Sequence, residues 1–292
     1  MNILITGGSG FIGRNLIEHL SSRHTVLAPK HDELELLDEH AVRRYFNGNA
    51  VDAVIHSAVK PGHRNAQDLS NQLYNNTRMF FNIVRNKERY QKLIFIGSGA
   101  VYDMRAYQPK MDEGYFDTSV PADEHGFSKY LIAKYIAEMD NGVELRVFGI
   151  FGKYEDYAIR FISNAICKTL FELPITIRQN RRFDYLYIDD LMPVIDHFLG
   201  AKGGYRAYNV TPDSATELCA IAEKVKARSG KNIQIIVREN GLGPEYSGDN
   251  SRLKKEIPGI NFTPLDQAID RLYDWYSGQR HLLERNKLLV DK

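Results

Sequence analysis

The stretch Asn2-Ile3-Leu4-Ile5-Thr6-Gly7-Gly8-Ser9-Gly10-Phe11-Ile12-Gly13 constrains this chain more than any other. A short apolar run of strand character leads into glycines spaced G-x-x-G-x-x-G (Gly7, Gly10, Gly13), and apolar residues at helical spacing follow from Phe11. In that order Gly7 permits a tight turn, Gly10 lets a phosphate approach the backbone, and Gly13 lets the helix pack close to the strand. The helix start supplies amide donors and a partial positive charge, which suits the pyrophosphate of a dinucleotide. No G-K-[ST] follows, so the loop is not that of an ATP-binding phosphate loop, and its spacing differs from the G-x-G-x-x-G of two-domain dehydrogenases.

The first half continues in the same alternation. Strands are expected at residues 2–6, 25–28, 53–56, 93–96 and 144–148, and helices at 10–20, 39–46, 69–86 and 123–139. That order predicts an α/β chain of the Rossmann type, a doubly wound parallel sheet with right-handed crossovers and helices on both faces. After Gly152 the pattern becomes mixed, with helices expected at 157–170, 189–199, 217–228 and 265–276 and strands at 175–178, 208–210 and 233–237. The reading divides the chain into a dinucleotide-binding domain over 1–150, rejoined by 186–210, and a smaller C-terminal substrate lobe from 151–185 and 211–292. Residues 278–292, charged with scattered leucines, read as a loosely packed terminal helix.

Composition narrows the class. Lys and Arg number 38 against 37 Asp and Glu, which gives no field to steer the chain to nucleic acid or a membrane surface. No apolar run approaches the ~18 residues of a membrane span. No targeting segment is expected before the first strand, and the reading is of a soluble, cytoplasmic protein. Cys167 and Cys219 stand far apart without metal-ligand spacing and read as reduced thiols, with no metal expected.

Six segments, in order, resemble the extended short-chain dehydrogenases/reductases, the NAD(P)-dependent epimerase/dehydratase type that acts on nucleotide sugars. They are the glycine loop with Val54-Ile55-His56-Ser57-Ala58, Asn75-Asn76, Phe95-Ile96-Gly97-Ser98-Gly99-Ala100-Val101-Tyr102, Leu145-Arg146-Val147-Phe148-Gly149-Ile150-Phe151-Gly152, Phe183-Asp184-Tyr185-Leu186-Tyr187-Ile188-Asp189-Asp190 and Asp249-Asn250-Ser251-Arg252-Leu253. The resemblance spans about residues 1–276. It implies a cofactor held by Gly7, Gly10, Phe11, Ile12, Gly13, Arg14, Lys30, Leu37, Asp38, Ser57, Ala58, Asn76, Lys129 and Ile150. It also implies a nucleotide-diphosphate sugar as substrate, and a homodimer formed through the helices that hold residues 76–86 and 125–139. Phe80, Phe81, Ile83, Leu131, Ile132 and Ile136 give those helices apolar surface, which burial on the sheet would equally explain.

In this family a Ser or Thr, a Tyr and a Lys carry the chemistry, the last two one helical turn apart on one face. Here the segment reads Asp123-Glu124-His125-Gly126-Phe127-Ser128-Lys129. Gly126, Ser128 and Lys129 fit Y-G-x-S-K, but His125 holds the tyrosine position. Imidazole titrates near neutrality and both donates and accepts protons, and a neighbouring Lys129 would hold the ring neutral. Three readings stay open: His125 replaces the tyrosine beside Ser98, the protein binds cofactor but turns over poorly, or Tyr102 supplies the hydroxyl.

Absences narrow the reaction. Ser98-Gly99-Ala100 lacks the T-D-E carboxylates of sugar-nucleotide 4,6-dehydratases. Residues 32–38 resemble GDP-fucose synthase, yet Ala100 stands where that enzyme has a Cys, and no His lies between Gly152 and Asp196, so double epimerisation loses support. Ketosugar reduction or 4-epimerisation remains. Lys30 and His31 close the second strand and favour the 2′-phosphate of NADP over NAD, although the two residues also suit a solvated turn and Asp32 is near. Asp38 is expected at the adenine amino group or as a helix cap. Substrate contacts are expected from Ser98, Gly99, Arg181, Arg182 and Arg252, since Phe183 occupies the usual arginine position of R-D-Y.

Overall fold

The structure, a computed structural model, describes residues 1–60, 68 and 70–289. Six parallel strands form its sheet: β1 (Asn2–Thr6), β2 (Thr25–Leu27), β3 (Ala53–His56), β4 (Lys92–Ser98), β5 (Gly142–Val147) and, much later, the strand Ala207–Val210. Their order is Ala207–Val210, β5, β4, β3, β1, β2. The chain steps outward from β1 to β2 and then crosses back to β3 on the other side of β1. That reversal opens a crevice at the C-terminal ends of β1 and β3, where open α/β sheets bind ligands.

Four helices connect these strands: α1 (Phe11–Leu20), α2 (Glu39–Gly48), α3 (Gln72–Val84) and α4 (Glu124–Ala137). Strand side chains alternate between two apolar layers, as period-2 geometry requires. Leu4, Val54, Leu93 and Phe95 pack with Val42, Phe80, Ile83, Ile132 and Ile136 of α2, α3 and α4. Ile3, Ile5, Ile55, Ile94 and Leu145 face the opposite layer, with Leu16 and Leu20 of α1. Strands covered on both sides read as near-continuous apolar runs, which is how this sequence announced them.

Beyond the sheet come β6 (Gly149–Phe151), α5 (Phe161–Leu170), β7 (Ile175–Asn180), β8 (Arg182–Phe183) and β9 (Tyr185–Tyr187). Next are α6 (Ile188–Gly200), β10 (Ala207–Val210), β11 (Thr216–Glu217), α7 (Leu218–Ser229), β12 (Ile235–Leu242), α8 (Ser251–Glu256) and α9 (Leu265–Gly278). Helix α6 joins the α1 layer through Leu191, Ile195 and Phe198, and β10 closes the sheet edge beside β5. Three small pairs complete the chain: β6 with β9, β7 with β12, and β8 with β11.

Several boundaries differ from expectation for local reasons. Helix α5 begins at Phe161 rather than at 157, because Asn164 Nδ2 donates to the carbonyls of Tyr157 and Ala158 and holds a turn there. Glu217 belongs to β11, where its carboxylate receives Asn180 and Arg182. The helix expected from residue 69 starts at Gln72 after Asn71 in a left-handed conformation, and residue 69 lies outside the described residues. Among the described residues after α9 the chain forms short 3₁₀ turns at Arg280–Leu282 and Arg285–Leu288 rather than an α-helix. The second turn buries Leu288 in the apolar core. The expectation for residues 290–292 falls outside the described residues.

Candidate active site

Backbone atoms build the first part of the site. Gly7 has φ +72°, and a Cβ there would stand 2.8 Å from the Ala58 amide nitrogen. A Cβ on Gly13 would stand 2.1 Å from the Gly7 carbonyl oxygen, so only glycine lets α1 begin this close to β1. A Cβ on Gly10 would meet only the Gly7 carbonyl, at 3.2 Å, and its outer side is open. Gly10 caps α1 without a side-chain hydrogen bond, and the first turn holds no acidic residue, so the amides of Phe11, Ile12 and Gly13 start an anion-binding helix end. The dinucleotide expected from the sequence fits this cradle.

The loop after β3 is fixed from beneath. Ser57 Oγ donates to the Thr6 carbonyl at 2.7 Å, and Thr6 Oγ1 lies 2.7 Å from His56 Nδ1 while receiving the Ala58 amide. Burial, and then the charge of Lys129, pushes His56 down to about 3, so this imidazole is neutral and structural. Asn76, buried on α3, receives the Lys60 amide at 2.7 Å and lies 3.5 Å from Ser128 Oγ. Ser128 Oγ in turn donates to the His125 carbonyl, which ties α3 to the first turn of α4.

Side chains build the second part. Ser98 ends β4, and its Oγ receives the Ala100 amide at 3.2 Å. Helix α4 starts on Asp123, whose carboxylate caps Gly126, and places His125 in its first turn. A Cβ on Gly126 would stand 2.8 Å from the Ala100 carbonyl, so that glycine presses the His125 turn onto the serine turn. One helical turn on, Lys129 is buried, with Nζ 3.3 Å from the Ile96 carbonyl and 4.6 Å from the Phe95 ring centroid. Desolvation lowers its pKa to about 8, and the nearby Glu144 carboxylate opposes the fall. Ser98, the His125 turn and Lys129 thus gather at the C-terminal end of β4, two strands along the sheet from the glycine cradle.

Tyr102 belongs elsewhere. Its hydroxyl donates to Asn209 Oδ1 at 2.8 Å and receives Arg146 Nη1 at 3.0 Å, and burial pushes it up to about 12. Arg146 also donates to Glu144 at 2.8 Å in a buried ion pair. The reading in which Tyr102 supplies the catalytic hydroxyl is therefore withdrawn.

The NAD dependent epimerase/dehydratase family matches residues 3–211. This chain belongs to that family. Among curated relatives, the dTDP-4-dehydro-6-deoxyglucose reductase of Escherichia coli is 24% identical over 309 residues, covering 92% of this chain and 96% of that one. GDP-mannoheptose C4 reductase from Campylobacter jejuni, solved with NADP bound, superposes with a TM-score of 0.81 at 20% identity, covering 94% of this chain and 98% of that one. UDP-glucose 4-epimerase from Thermotoga maritima, solved with UDP-glucose, gives 0.81 at 19% identity, covering 96% and 100%.

Other expected residues of this epimerase/dehydratase chain are placed variously. Lys30 ends exposed after β2, its amide bonded to Glu33. Asp38 is the N-cap of α2, Oδ1 receiving the amides of His40 and Ala41, and Leu37 is half-buried just before it. Arg14 stacks on the Tyr154 ring at 3.8 Å, and Ile150 sits half-buried in β6. A cavity of about 520 Å³ opens beside β7–β9, lined by Asn164, Gln179, Arg181, Phe183 and Tyr185 among others. Arg181 reaches it, whereas Arg182 is exposed and bonds Glu217. Arg252 packs on Tyr205, donates to the Ala207 carbonyl and faces Glu113, because α8 docks against β10. Sequence reasoning missed Tyr246, whose hydroxyl stands over Gly99 beside Ser98, and Asp184, which holds the loop carrying it. The resemblance at Asp184 was visible, but nothing in the spacing tied Tyr246 to Ser98.

Proposed function

We propose that this protein catalyses hydride transfer at a sugar carbon of a nucleotide-diphosphate sugar, as a 4-ketoreductase using NADP(H). The observation that carries the reading is that Ser98, the His125 turn and Lys129 come together at the end of β4, on the same side of the sheet as a glycine cradle whose helix start presents backbone amides. The names of the reductase relatives support it, and the 4-epimerase among the structural neighbours keeps 4-epimerisation as the related reaction.

The cradle of Gly7, Gly10, Phe11, Ile12 and Gly13 holds the pyrophosphate, and Ser57, Ala58, Asn76 and Ile150 flank the rest of the cofactor. Lys30 takes the 2′-phosphate. When bound, NADPH supplies a hydride to the keto carbon. Ser98 holds the carbonyl oxygen by a hydrogen bond. As the carbon–oxygen π pair moves onto that oxygen, the imidazolium form of His125 gives it the proton that completes the alcohol and is left as neutral imidazole. Lys129 keeps positive charge beside the forming alkoxide. Residues 151–185 and 211–292 form the substrate lobe, where Arg181 meets the diphosphate in the β7–β9 cavity. Two chains pair through α3 and α4. Phe80, Ile83, Ile132 and Ile136 are turned to the sheet, which leaves half-buried Phe81 and Leu131 and exposed Tyr74 and Tyr135 for the contact.

The test is incubation with dTDP- and GDP-linked 4-keto-6-deoxyhexoses and NADPH, followed at the nicotinamide absorbance. Oxidation of NADPH that depends on the ketosugar is expected. Tight NADPH binding with no turnover on any of them would instead favour the second reading, prompted by His125, of a cofactor-binding subunit or sensor. Tighter binding of NADH than of NADPH would reverse the cofactor assignment.

A further inference from the structure

Beside Ser98 stands a hydroxyl that the proposed reaction leaves unused. Tyr246, from the loop between β12 and α8, brings its hydroxyl beside the Ser98 turn, its oxygen 2.5 Å from where a Cβ on Gly99 would stand. The glycine therefore leaves room for this hydroxyl directly above the serine turn. Its ring is clamped by three others: stacked on Tyr107 at 5.2 Å, and tilted against Phe148 at 5.2 Å and Phe183 at 5.7 Å. Its backbone is held as firmly. The Tyr246 amide donates to the Arg182 carbonyl, the Asp184 amide donates to Tyr246, and the Asp184 carboxylate receives Gly248 at 2.7 Å and the Thr211 hydroxyl.

We infer that Tyr246 is a catalytic residue, a second hydrogen-bond donor to the substrate oxygen to which Ser98 donates. This rests on the hydride-transfer reading above. Ser98 and Tyr246 together carry two hydroxyl protons. Both can turn to a substrate oxygen placed against the pair. Burial raises the Tyr246 pKa, so the phenol keeps its proton and donates a hydrogen bond rather than the proton itself. That division suits the chain: His125 moves the proton while Tyr246 and Ser98 stabilise the charge that develops on oxygen. The family tyrosine missing at position 125 is thereby answered in part from a segment over 120 residues away.

Tyr246→Phe removes one oxygen and keeps the ring stack, so it separates chemistry from folding. Assayed with dTDP- and GDP-linked 4-keto-6-deoxyhexoses, the variant should lose about 10²-fold in kcat, the cost of one oxyanion donor. KM for the sugar, Kd for NADPH and the shape of the pH profile should stay parental. A variant with parental kcat overturns the inference. So does a loss of kcat accompanied by weaker NADPH binding, which marks a structural role, or a changed pH limb, which marks Tyr246 as the proton source. If the parent turns over none of these sugars, the hydride-transfer reading fails and this inference with it, an outcome distinct from an active parent matched by its variant.

Discussion

The glycine cradle and the serine corner lie at the same end of one sheet but are made of different things. The cradle is backbone from a single stretch of seven residues, and its shape follows from what is missing, the Cβ atoms of Gly7 and Gly13. The corner is side chain from segments far apart: Ser98, His125 with Lys129, and Tyr246 clamped by Tyr107, Phe148 and Phe183. A backbone site tolerates neighbours but no added carbon. A side-chain site tolerates drift in sequence as long as some element returns the needed group to the same place. The difference separates a site that a glycine spacing announces from one that only the fold assembles.

Substitutions can break that contrast. The largest effect is expected for His125→Ala, which removes the proposed proton donor: kcat should fall by about 10²–10⁴, with Kd for NADPH unchanged in a fluorescence titration. A matching loss of NADPH affinity would mean that corner and cradle are one unit. Gly13→Ala should do the reverse. Its Cβ would overlap the Gly7 carbonyl oxygen at 2.1 Å, an overpacking cost of about 1–3 kcal/mol, read as NADPH binding roughly 5- to 150-fold weaker.

The corner should also titrate where the cradle does not. Lys129 is charged below about 8 and neutral above, because burial disfavours its ammonium form. The pH–rate profile should therefore lose activity as pH rises through about 8, and Lys129→Met should abolish that limb. The stability sign is opposite: burying this lysine becomes less costly as pH rises from about 8 towards its unfolded value. Unfolding at pH 7 and 9 should show a smaller pH response in the variant. Smallest of all, Asp38→Ala removes the α2 cap and should lower Tm by about 2–4 °C, leaving NADPH affinity near parental. A large affinity loss would show that the cradle leans on a side chain after all.

The sheet and the cradle were legible because both are local. Continuous apolar runs marked β1, β3, β4 and β5, and the glycine spacing directly after β1 placed the ligand-binding turn. Ser98, His125 and Lys129 could be named from their motif, and β10 was foreseen at Tyr208-Asn209-Val210 as a return to the sheet. What stayed hidden depended on long-range packing. Arg252 reads as a phosphate ligand by residue type, yet the docking of α8 on β10 turns it to Glu113 and Tyr205. Tyr102 and Tyr246 are equally plausible hydroxyls in one dimension. Only the fold sends the first to Asn209 and Arg146 and the second to Ser98.

The late arrival of β10 bears on how the chain is made. Until Ala207–Val210 emerges, β5 is an open edge, and the buried Tyr102 and Arg146 wait for Asn209, which also takes up Glu113 and the Met111 carbonyl. The ~60 residues after β5 take roughly 3–12 s to synthesise at about 5–20 residues per second. Through that interval a nascent chain with a nearly finished sheet exposes one unpaired strand and a Tyr102 hydroxyl that lacks its acceptor. Translation pauses, or a chaperone that shields strand edges, would act on this protein in that window.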